Sequence, residues 1–265
     1  MEPSFERYSD GKALYGDDFS PDQIEAWFRD EQEGYYRLAE ERKPGNYGYH
    51  ALNWRHGFRH LPPFPFEHIL GIGSAFGDEL QPVLGRAKSV TVLEPSDGFS
   101  NPKFKYVTPN ASGRMPFADN SFDLVTCFGV LHHIPNVSTV MRELARCAKP
   151  GAWLLIREPT HSMGNWDQPR RGLTSRERGI PLPIVLRIVA DAGLQIVHQR
   201  RCMFSLTARL QPLLPKKQLV YNTRWITVFD DYLCNLPIWS KQYHATNIIQ
   251  RFRPWAVFLV LNKPA

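Results

Sequence analysis

The spacing of apolar residues is most regular between residues 121 and 159. An apolar run at 124–128 is followed, after a short loop, by a set spaced three and four positions apart: Val137, Val140, Met141, Leu144, Ala145 and Ala148. This spacing gives a helix one apolar face, and Lys149-Pro150-Gly151 predicts its end. A second apolar run at 153–156 completes a strand–helix–strand unit, which is typical of a parallel β-sheet.

Shorter apolar runs flank this unit on both sides. They predict strands at 68–70, 89–93, 103–107, 194–198 and 255–261, with helices at 79–84 and before Gly193. Strands that alternate with helices indicate an α/β fold. In open sheets of this class, ligands bind at the carboxyl ends of the strands. The residues that follow each strand are therefore the candidates for a site.

Residues 1–66 precede this alternation and predict a helical extension, or lid. Ser20-Pro21-Asp22-Gln23 has the form of a capping box, with proline at the first helical position. The helix that begins there has an apolar stripe: Ile24, Trp27, Phe28, Tyr35 and Leu38. We expect this stripe to pack on the main domain.

Residues 205–254 interrupt the alternation before the last strand. They are rich in aromatic side chains, and Trp225, Phe229 and Tyr232 recur at helical spacing. We expect most of these aromatic residues to pack in the core and the segment to cap the substrate. The predicted domains are thus the extension 1–66, a core of 67–204 and 255–265, and the insertion 205–254.

Composition narrows the class of protein. The chain has 265 residues and a formal net charge of +6, which suits nucleic acid, an anionic membrane surface or a phosphorylated small substrate. No apolar run reaches the roughly 18 residues of a membrane-spanning helix, and residues 1–30 are acidic where a secretory signal is basic and apolar. The four cysteines lie far apart and predict buried free thiols. We therefore expect a cytoplasmic protein without a membrane span.

Three loops of the predicted sheet have the features of a nucleotide site. The glycine-rich turn Gly71-Ile72-Gly73-Ser74-Ala75-Phe76-Gly77 follows the first strand, where backbone amides can approach a ligand. Glu94 ends the second strand at a distance along the chain that lets a carboxylate accept hydrogen bonds from both hydroxyls of a ribose. A third loop, with Asn110 and Ala111, could hydrogen-bond an adenine edge.

The segments that follow extend this pattern to a known family. Residues 116–123 read PFADNSFD, residues 130–133 read VLHH, and residues 149–159 read KPGAWLLIREP. With these motifs, the chain resembles the class I S-adenosylmethionine-dependent methyltransferases over residues 67–200 and the last strand. The resemblance implies a Rossmann-like, seven-stranded sheet with an antiparallel last strand. It also implies S-adenosylmethionine as cofactor and S-adenosylhomocysteine as product.

The resemblance also assigns cofactor-binding positions. The turn at 71–77 would border the methionine part, Glu94 the ribose, Asn110 and Ala111 the adenine, and Phe128 and Gly129 the reactive sulfonium. The predicted cofactor-binding residues are Gly71, Ile72, Gly73, Ser74, Ala75, Gly77, Glu94, Pro95, Asn110, Ala111, Phe128 and Gly129.

Two positions of the turn depart from the family pattern. Gly71 stands where an acidic residue usually opens the turn, and Ala75 replaces the middle glycine. The first change removes a carboxylate partner for the cofactor's ammonium group, and Asp78 or a bound water is the candidate replacement. The second adds a methyl group where the backbone approaches the ligand closely.

Methyl transfer requires alignment of the acceptor, and it requires a base only where the acceptor holds its proton. The candidate catalytic residues follow the fourth and fifth strands: His133, His132, Glu158 and His161. His133 is preferred, because an imidazole is neutral near pH 7. A positioning or packing role stays open, since the same histidine pair occurs in family members with very different substrates.

The acceptor is predicted to be a small anionic molecule with a hydroxyl (or amine) group. Four arginines at 170, 171, 176 and 178 suit a phosphate or carboxylate, and the aromatic insertion suits a sugar, so a glycosyl or phosphorylated polysaccharide precursor is favoured. Nucleic acid is not expected, because Cys127-Phe128-Gly129-Val130 stands where methyltransferases of base amines have an Asn/Asp-Pro-Pro-aromatic motif. No metal site is expected, since Asp230-Asp231 reads as a solvated helix edge.

A second interpretation keeps the fold but not the activity. The chain would then be a catalytically inactive, methyltransferase-like binding or scaffold protein, with Gly71 and Ala75 as the marks of lost catalysis.

Overall fold

The computed structural model describes residues 4–41, 43–215 and 218–265, without the side chains of 35–41. The predicted contacts of Tyr35 and Leu38 therefore lie outside the described residues. The strands are β1 Phe66–Ile72, β2 Ala87–Leu93, β3 Lys105–Val107, β4 Phe122–Phe128, β5 Ala148–Pro159, β6 Gln195–Phe204 and β7 Pro254–Asn262.

These strands form one sheet in the order β3-β2-β1-β4-β5-β7-β6. The pairs β2–β3, β1–β2, β1–β4 and β4–β5 are parallel, whereas β7 is antiparallel to both β5 and β6. The predicted Rossmann-like sheet with a reversed last strand is confirmed. Since β5 is parallel to β1 and β4, the glycine turn and the loops after β4 and β5 meet at one edge.

Helices cover both faces of this sheet. They are α1 Pro21–Glu41, α2 His50–His56, α3 Gln81–Leu84, α4 Val137–Cys147, α5 Leu182–Asp191 and α6 Arg224–Cys234. The predicted apolar stripe of α4 packs with α5 on one face, while Leu52 of α2 and Ile226 of α6 pack on the other. Because both faces are covered, successive residues of a central strand are buried, as Leu154 and Leu155 are in β5.

The N-terminal segment is joined to the core by a cluster of rings. The predicted capping box forms: Ser20 N donates to Gln23 Oε1 (3.0 Å), and Gln23 N donates to Ser20 Oγ (3.4 Å). Trp27 of α1 is fully buried. It belongs to an aromatic cluster of Phe5, Tyr8, Tyr15, Phe19, Trp27, Trp166 and Tyr243. This cluster connects the N-terminal segment and α1 to the loop after β5 and to the insertion.

The aromatic residues of α6 differ from their prediction. Trp225, Phe229 and Tyr232 are 63%, 50% and 68% exposed, so the expected core packing of the aromatic residues does not hold for these three, whereas Tyr221 and Tyr243 are buried. The buried face of α6 is the opposite one, and its buried residues include Ile226, Thr227, Asp230 and Cys234.

The acidic pair of α6 is likewise not a solvated edge. Asp230 is fully buried and accepts hydrogen bonds from the backbone amides of Met203 and Phe204, both at 2.8 Å, and burial raises the pKa of its carboxyl group. Asp231 pairs with Arg55 of α2 at 2.7 Å. The pair fixes α6 to the end of β6 and to α2.

Two expectations from composition can be compared with the structure. All four cysteines are buried and free, as predicted. Among the described residues, no helix combines the length and apolar character needed to cross a membrane.

Candidate active site

Two adjoining cavities lie along the carboxyl edge of the sheet. The large cavity, about 500 Å³, extends from the glycine turn past the ends of β4 and β5 to Trp255 in β7. The small cavity, about 100 Å³, lies between α1 and the loops that follow β2 and β3. Ile72, Gly73 and His133 border both. The site is therefore one elongated space with two compartments.

The glycine turn keeps its tight path despite the alanine. Gly73, Ala75 and Gly77 all have positive φ, at 59°, 47° and 75°. The turn is fixed from neighbouring strands: the Tyr106 hydroxyl donates to Ala75 O (2.8 Å), and Ala75 N donates to the Glu94 carboxylate (2.9 Å). Ile72, Gly73, Ser74 and Ala75 border the large cavity.

The predicted ribose and adenine residues lie around the small cavity, with one exception. Pro95, Asn110 and Ala111 border it, together with apolar side chains such as Met115 and Val130. This lining fits a flat aromatic base. The exception is Glu94, the predicted ribose ligand. It is 3% exposed, borders neither cavity and accepts a hydrogen bond from the amide of Ala75.

The acidic residues after the turn have distinct surroundings. Asp78 accepts a hydrogen bond from Gly45 N (2.8 Å) and so holds the segment 43–49 over the turn. Glu79 is 6% exposed and borders the large cavity.

The two outer glycines of the turn lie outside the cavities. Gly71 borders neither cavity, and a Cβ at this position would overlap the hydroxyl of Ser74. Gly77 also lies outside both linings.

Phe128 and Gly129 end β4 at the wall of the large cavity. Gly129 has φ 69°, and its amide donates to Arg157 O at 2.7 Å. Nine of the twelve predicted cofactor residues thus border the two cavities, and Gly71, Gly77 and Glu94 do not.

Glu158, at the end of β5, organises the loop that follows β4. One of its oxygens accepts hydrogen bonds from Val130 N (2.8 Å) and Leu131 N (2.9 Å), and the other contacts His132 N and His132 Nδ1 (2.8 Å). These contacts occupy the acceptor sites of the carboxylate. Although burial acts in the opposite direction, the contacts with His132 lower the pKa of Glu158. The geometry therefore gives Glu158 a positioning role.

His132 lies between two carboxylates. Its Nδ1 is 2.8 Å from Glu158 and its Nε2 is 3.3 Å from Glu177. Burial alone would lower its pKa, but hydrogen bonds to both carboxylates outweigh this and raise the pKa to about 9. Burial raises the pKa of Glu177, yet the two histidines bring it to about 2. An imidazolium held in this way is a poor proton acceptor near pH 7.

The same residues form a group with metal-ligand spacing. The donor atoms of His132, His133 and Glu177 lie within 4.8 Å of one another. The charges of the group already pair within the protein, because His132 is flanked by the two carboxylates. We assign the group to this ion-pair network.

His133 occupies the junction of the two cavities. Its Nδ1 is 2.9 Å from Glu31 of α1, and the other Glu31 oxygen accepts a hydrogen bond from the Thr174 hydroxyl at 2.5 Å. Glu31 escaped the sequence analysis because nothing in its helical context marks it; only the docking of α1 brings it to His133. His161 borders neither cavity, and its Nε2 lies 2.6 Å from Pro254 O; burial lowers its pKa to about 3.

Arg157 is the second residue that sequence analysis missed. It is 6% exposed, borders the large cavity, and lies 4.2 Å from the ring centroid of Tyr49. Its Nη1 donates to Asn53 Oδ1 at 2.8 Å. No ion pair among the described residues includes this guanidinium. The residue is part of the KPGAWLLIREP motif, where only its burial reveals it.

The loop arginines proposed as anion ligands bind the protein itself. Arg178 is fully buried and donates to backbone carbonyls, among them Tyr15 O and His132 O at 2.9 Å. Arg176 pairs with Asp30, and Arg170 donates to Thr174 O. The contacts of these three arginines therefore contradict the predicted role in binding an anion. Their N–H groups are used to hold the loop after β5 together and against α1 and the loop after β4.

Comparison with known proteins agrees with this geometry. The family model described as a methyltransferase domain matches residues 70–156. A demethylmenaquinone methyltransferase of Renibacterium salmoninarum is 28% identical over 103 residues, which is 37% of this chain and 43% of that protein. The uncharacterized methyltransferase YcgJ of Bacillus subtilis is 32% identical over 105 residues, 34% of this chain and 40% of its own.

A solved structure extends the likeness in fold to most of the chain. A Haloferax volcanii protein, solved in complex with the Trm112 methyltransferase activator, has a TM-score of 0.55 and 16% identity, and the match covers 91% of this chain and 98% of that one. The chain spans less than half the length of the curated relatives above. The family match identifies residues 70–156 as part of a methyltransferase domain, and the strand order and the position of the cavities agree with the fold of the class I S-adenosylmethionine-dependent methyltransferases.

Proposed function

We propose that the protein transfers the methyl group of S-adenosylmethionine to a hydroxyl (or amine) of a small anionic molecule bound in the large cavity. When bound, the cofactor supplies an electrophilic methyl group on a positively charged sulfur. The observation that carries the proposal is Arg157, a buried cation in the cavity wall with no carboxylate partner among the described residues.

A buried guanidinium without a counter-charge is costly. The carboxylate or phosphate of a ligand would offset this cost, because a planar guanidinium binds such groups through paired N–H donors. One of its nitrogens is engaged by Asn53. In the sheet, β4 lies between β1 and β5, so the backbone of Arg157 is two strand spacings, about 10 Å, from the backbone of the glycine turn. An acceptor whose anionic group binds Arg157 would therefore lie beside a cofactor bound at the turn.

The rest of the wall supports a ring-shaped acceptor. Tyr47, Tyr49, Phe128 and Trp255 border the large cavity, and aromatic faces pack well on sugars and other rings. We favour a sugar acid or sugar phosphate, such as a precursor of a surface polysaccharide. Phenolic acids belong in the same trial, because an aromatic ring can pack on the same side chains and a carboxylate can bind the same guanidinium.

His133 is our candidate for the group that accepts the acceptor's proton. It borders both cavities, and its contact with Glu31 orients the ring. A carboxylate beside one imidazole nitrogen also fixes the tautomer of the ring.

The test is transfer of a radiolabelled methyl group to matched pairs of acceptors: glucuronate against glucose, and hydroxybenzoate against hydroxybenzyl alcohol. We expect anionic acceptors to be preferred. Arg157→Gln should raise their KM by about tenfold or more, the scale of a lost charged hydrogen bond, and leave S-adenosylhomocysteine affinity unchanged. Exposed Arg187 provides the control, as Arg187→Gln.

Two results would contradict this assignment. If Arg157→Gln weakened S-adenosylhomocysteine binding equally, Arg157 would hold the cofactor's carboxylate and the case for an anionic acceptor would be lost. Tight S-adenosylhomocysteine binding with no methylation of any acceptor class would favour the inactive binding protein.

His133 is tested in the same assay. His133→Asn should lower kcat for hydroxyl acceptors by roughly 10²–10⁴-fold, the range for a general base, whereas His68→Asn on the distant, exposed end of β1 should not. An unchanged kcat and pH profile in His133→Asn would leave the histidine a positioning role.

A further inference from the structure

The large cavity contains an acidic side chain that the family pattern does not predict. We infer that Glu79 binds the ammonium group of S-adenosylmethionine, in place of the acidic residue that position 71 lacks. The inference rests on the proposed function, since it requires that the cavity hold this cofactor.

The first argument is the way in which residues 71, 74 and 79 fit together. Gly71 is a buried residue of β1, one position before the end of the strand, and a Cβ there would overlap the Ser74 hydroxyl. The space that an acidic side chain would need at position 71 is therefore filled by Ser74, which is 4% exposed. Ser74 and Glu79 both border the large cavity. Glu79 lies eight positions after Gly71, in the short 3-10 helix Asp78–Leu80.

The second argument is that other nearby acids are engaged. Asp78, which the sequence offered as the replacement, accepts the amide of Gly45. Glu94 accepts the amide of Ala75 and borders neither cavity. Glu79 borders the cavity and is in none of the ion pairs of the described residues. A carboxylate 6% exposed in a ligand cavity is best compensated by a cation on the ligand.

The charges around Glu79 set how binding depends on pH. Burial raises the pKa of Glu79 to about 7, Ser74 opposes this, and the charges of Asp78 and Glu94 add to it. Tyr47 and Tyr106 also face the group, and exposed Lys43 borders the same cavity. An ammonium group beside Glu79 favours the ionised form. Below about pH 7, cofactor binding should therefore release a proton.

The experiment is calorimetric titration of wild type, Glu79→Gln and the control Glu67→Gln with two ligands. S-adenosylhomocysteine carries the ammonium group, and 5′-methylthioadenosine lacks the amino-acid end. Glu79→Gln should weaken S-adenosylhomocysteine about 10- to 100-fold and leave 5′-methylthioadenosine unchanged. At pH 6, titrations in buffers of different ionisation enthalpy should show proton release in wild type that Glu79→Gln loses. Glu67 is exposed and paired with Lys88, so Glu67→Gln should bind both ligands with wild-type affinity.

The two ligands separate the possible failures. Equal S-adenosylhomocysteine affinity in Glu79→Gln and wild type would overturn the role of Glu79 and leave the proposed function standing. A Glu79→Gln variant that lost both ligands would indicate a damaged turn and would also overturn a specific role toward the ammonium. Wild-type protein that bound neither ligand at millimolar concentration would overturn the inference together with the proposed function.

Discussion

Ala75 holds a backbone conformation that residues with a side chain rarely adopt. Its φ is 47°, in the left-handed region, which costs an L residue about 1–2 kcal/mol. Two neighbours impose it: Tyr106 binds its carbonyl oxygen, and Glu94 binds its amide. The alanine therefore leaves the path of the turn intact and stores strain where the cofactor approaches.

Ala75→Gly should relieve this strain. Glycine adopts positive φ freely but loses more chain entropy on folding, so we expect a net gain of roughly 0.5–1 kcal/mol in the free energy of unfolding. Urea denaturation measures it, with Ala118→Gly, at a residue outside the positive-φ set, as the control that should lose stability. A loss in Ala75→Gly as large as in the control would show that the turn is not strained.

Residues differ in how far the sequence could reveal them. Gly73 follows β1 and Phe128 ends β4, two strands whose apolar runs are plain in the sequence, and both residues border the large cavity as expected. Glu31 and Glu79 have no such marker. Glu31 reaches His133 only because α1 docks on the core, and Glu79 borders the large cavity only because of the path that the chain takes after the turn.

At the level of elements, an ion-pair network joins four parts of the fold. His132, in the loop after β4, lies between Glu158 of β5 and Glu177 of the following loop. His133 contacts Glu31 of α1, and Arg178 binds the carbonyl oxygens around both histidines. The helices and strands themselves follow from periodicity. The network does not, because charged residues in loops are usually solvated, and only burial shows that these are not.

The network predicts a particular pH dependence of stability. The pKa of His132 rises from 6.5 to about 9 on folding, so its contribution is complete below pH 6.5 and is lost as the pH rises through 9. Glu177, with its pKa lowered from 4.5 to about 2, contributes above pH 4.5 and loses this contribution on acidification. The joint contribution of His132 and Glu177 to stability should be greatest between pH 4.5 and 6.5 and fall by a few kcal/mol toward pH 9.

Urea denaturation between pH 5 and 9.5 measures this decline. His132→Gln should be less stable at pH 6 and should lack the slope between pH 6.5 and 9, whereas His68→Gln should keep it. A flat wild-type profile over that range would contradict the charged state assigned to His132.

On the scale of the whole molecule, parts distant in sequence close the site around the sheet edge. Phe28 and Gln32 of α1 border the small cavity, Tyr47 and Tyr49 border the large one, and Met203 and Trp255 close its far end. The aromatic cluster and Arg178 hold α1 and the N-terminal segment against the loops after β4 and β5. The exposed rings of α6 lie outside both linings.

This arrangement predicts where ligand binding should protect the backbone. With S-adenosylhomocysteine at about 100 times its Kd, the free energy of unfolding should rise by about 2.7 kcal/mol. Hydrogen exchange should slow most at residues 28–32, 43–49, 71–77 and 109–115, because these segments surround the cavities and must open before the ligand leaves. Residues 225–232 of α6 should change only through global stabilisation. Unchanged exchange at 28–32, with protection at 71–77, would show that α1 does not enclose the bound cofactor.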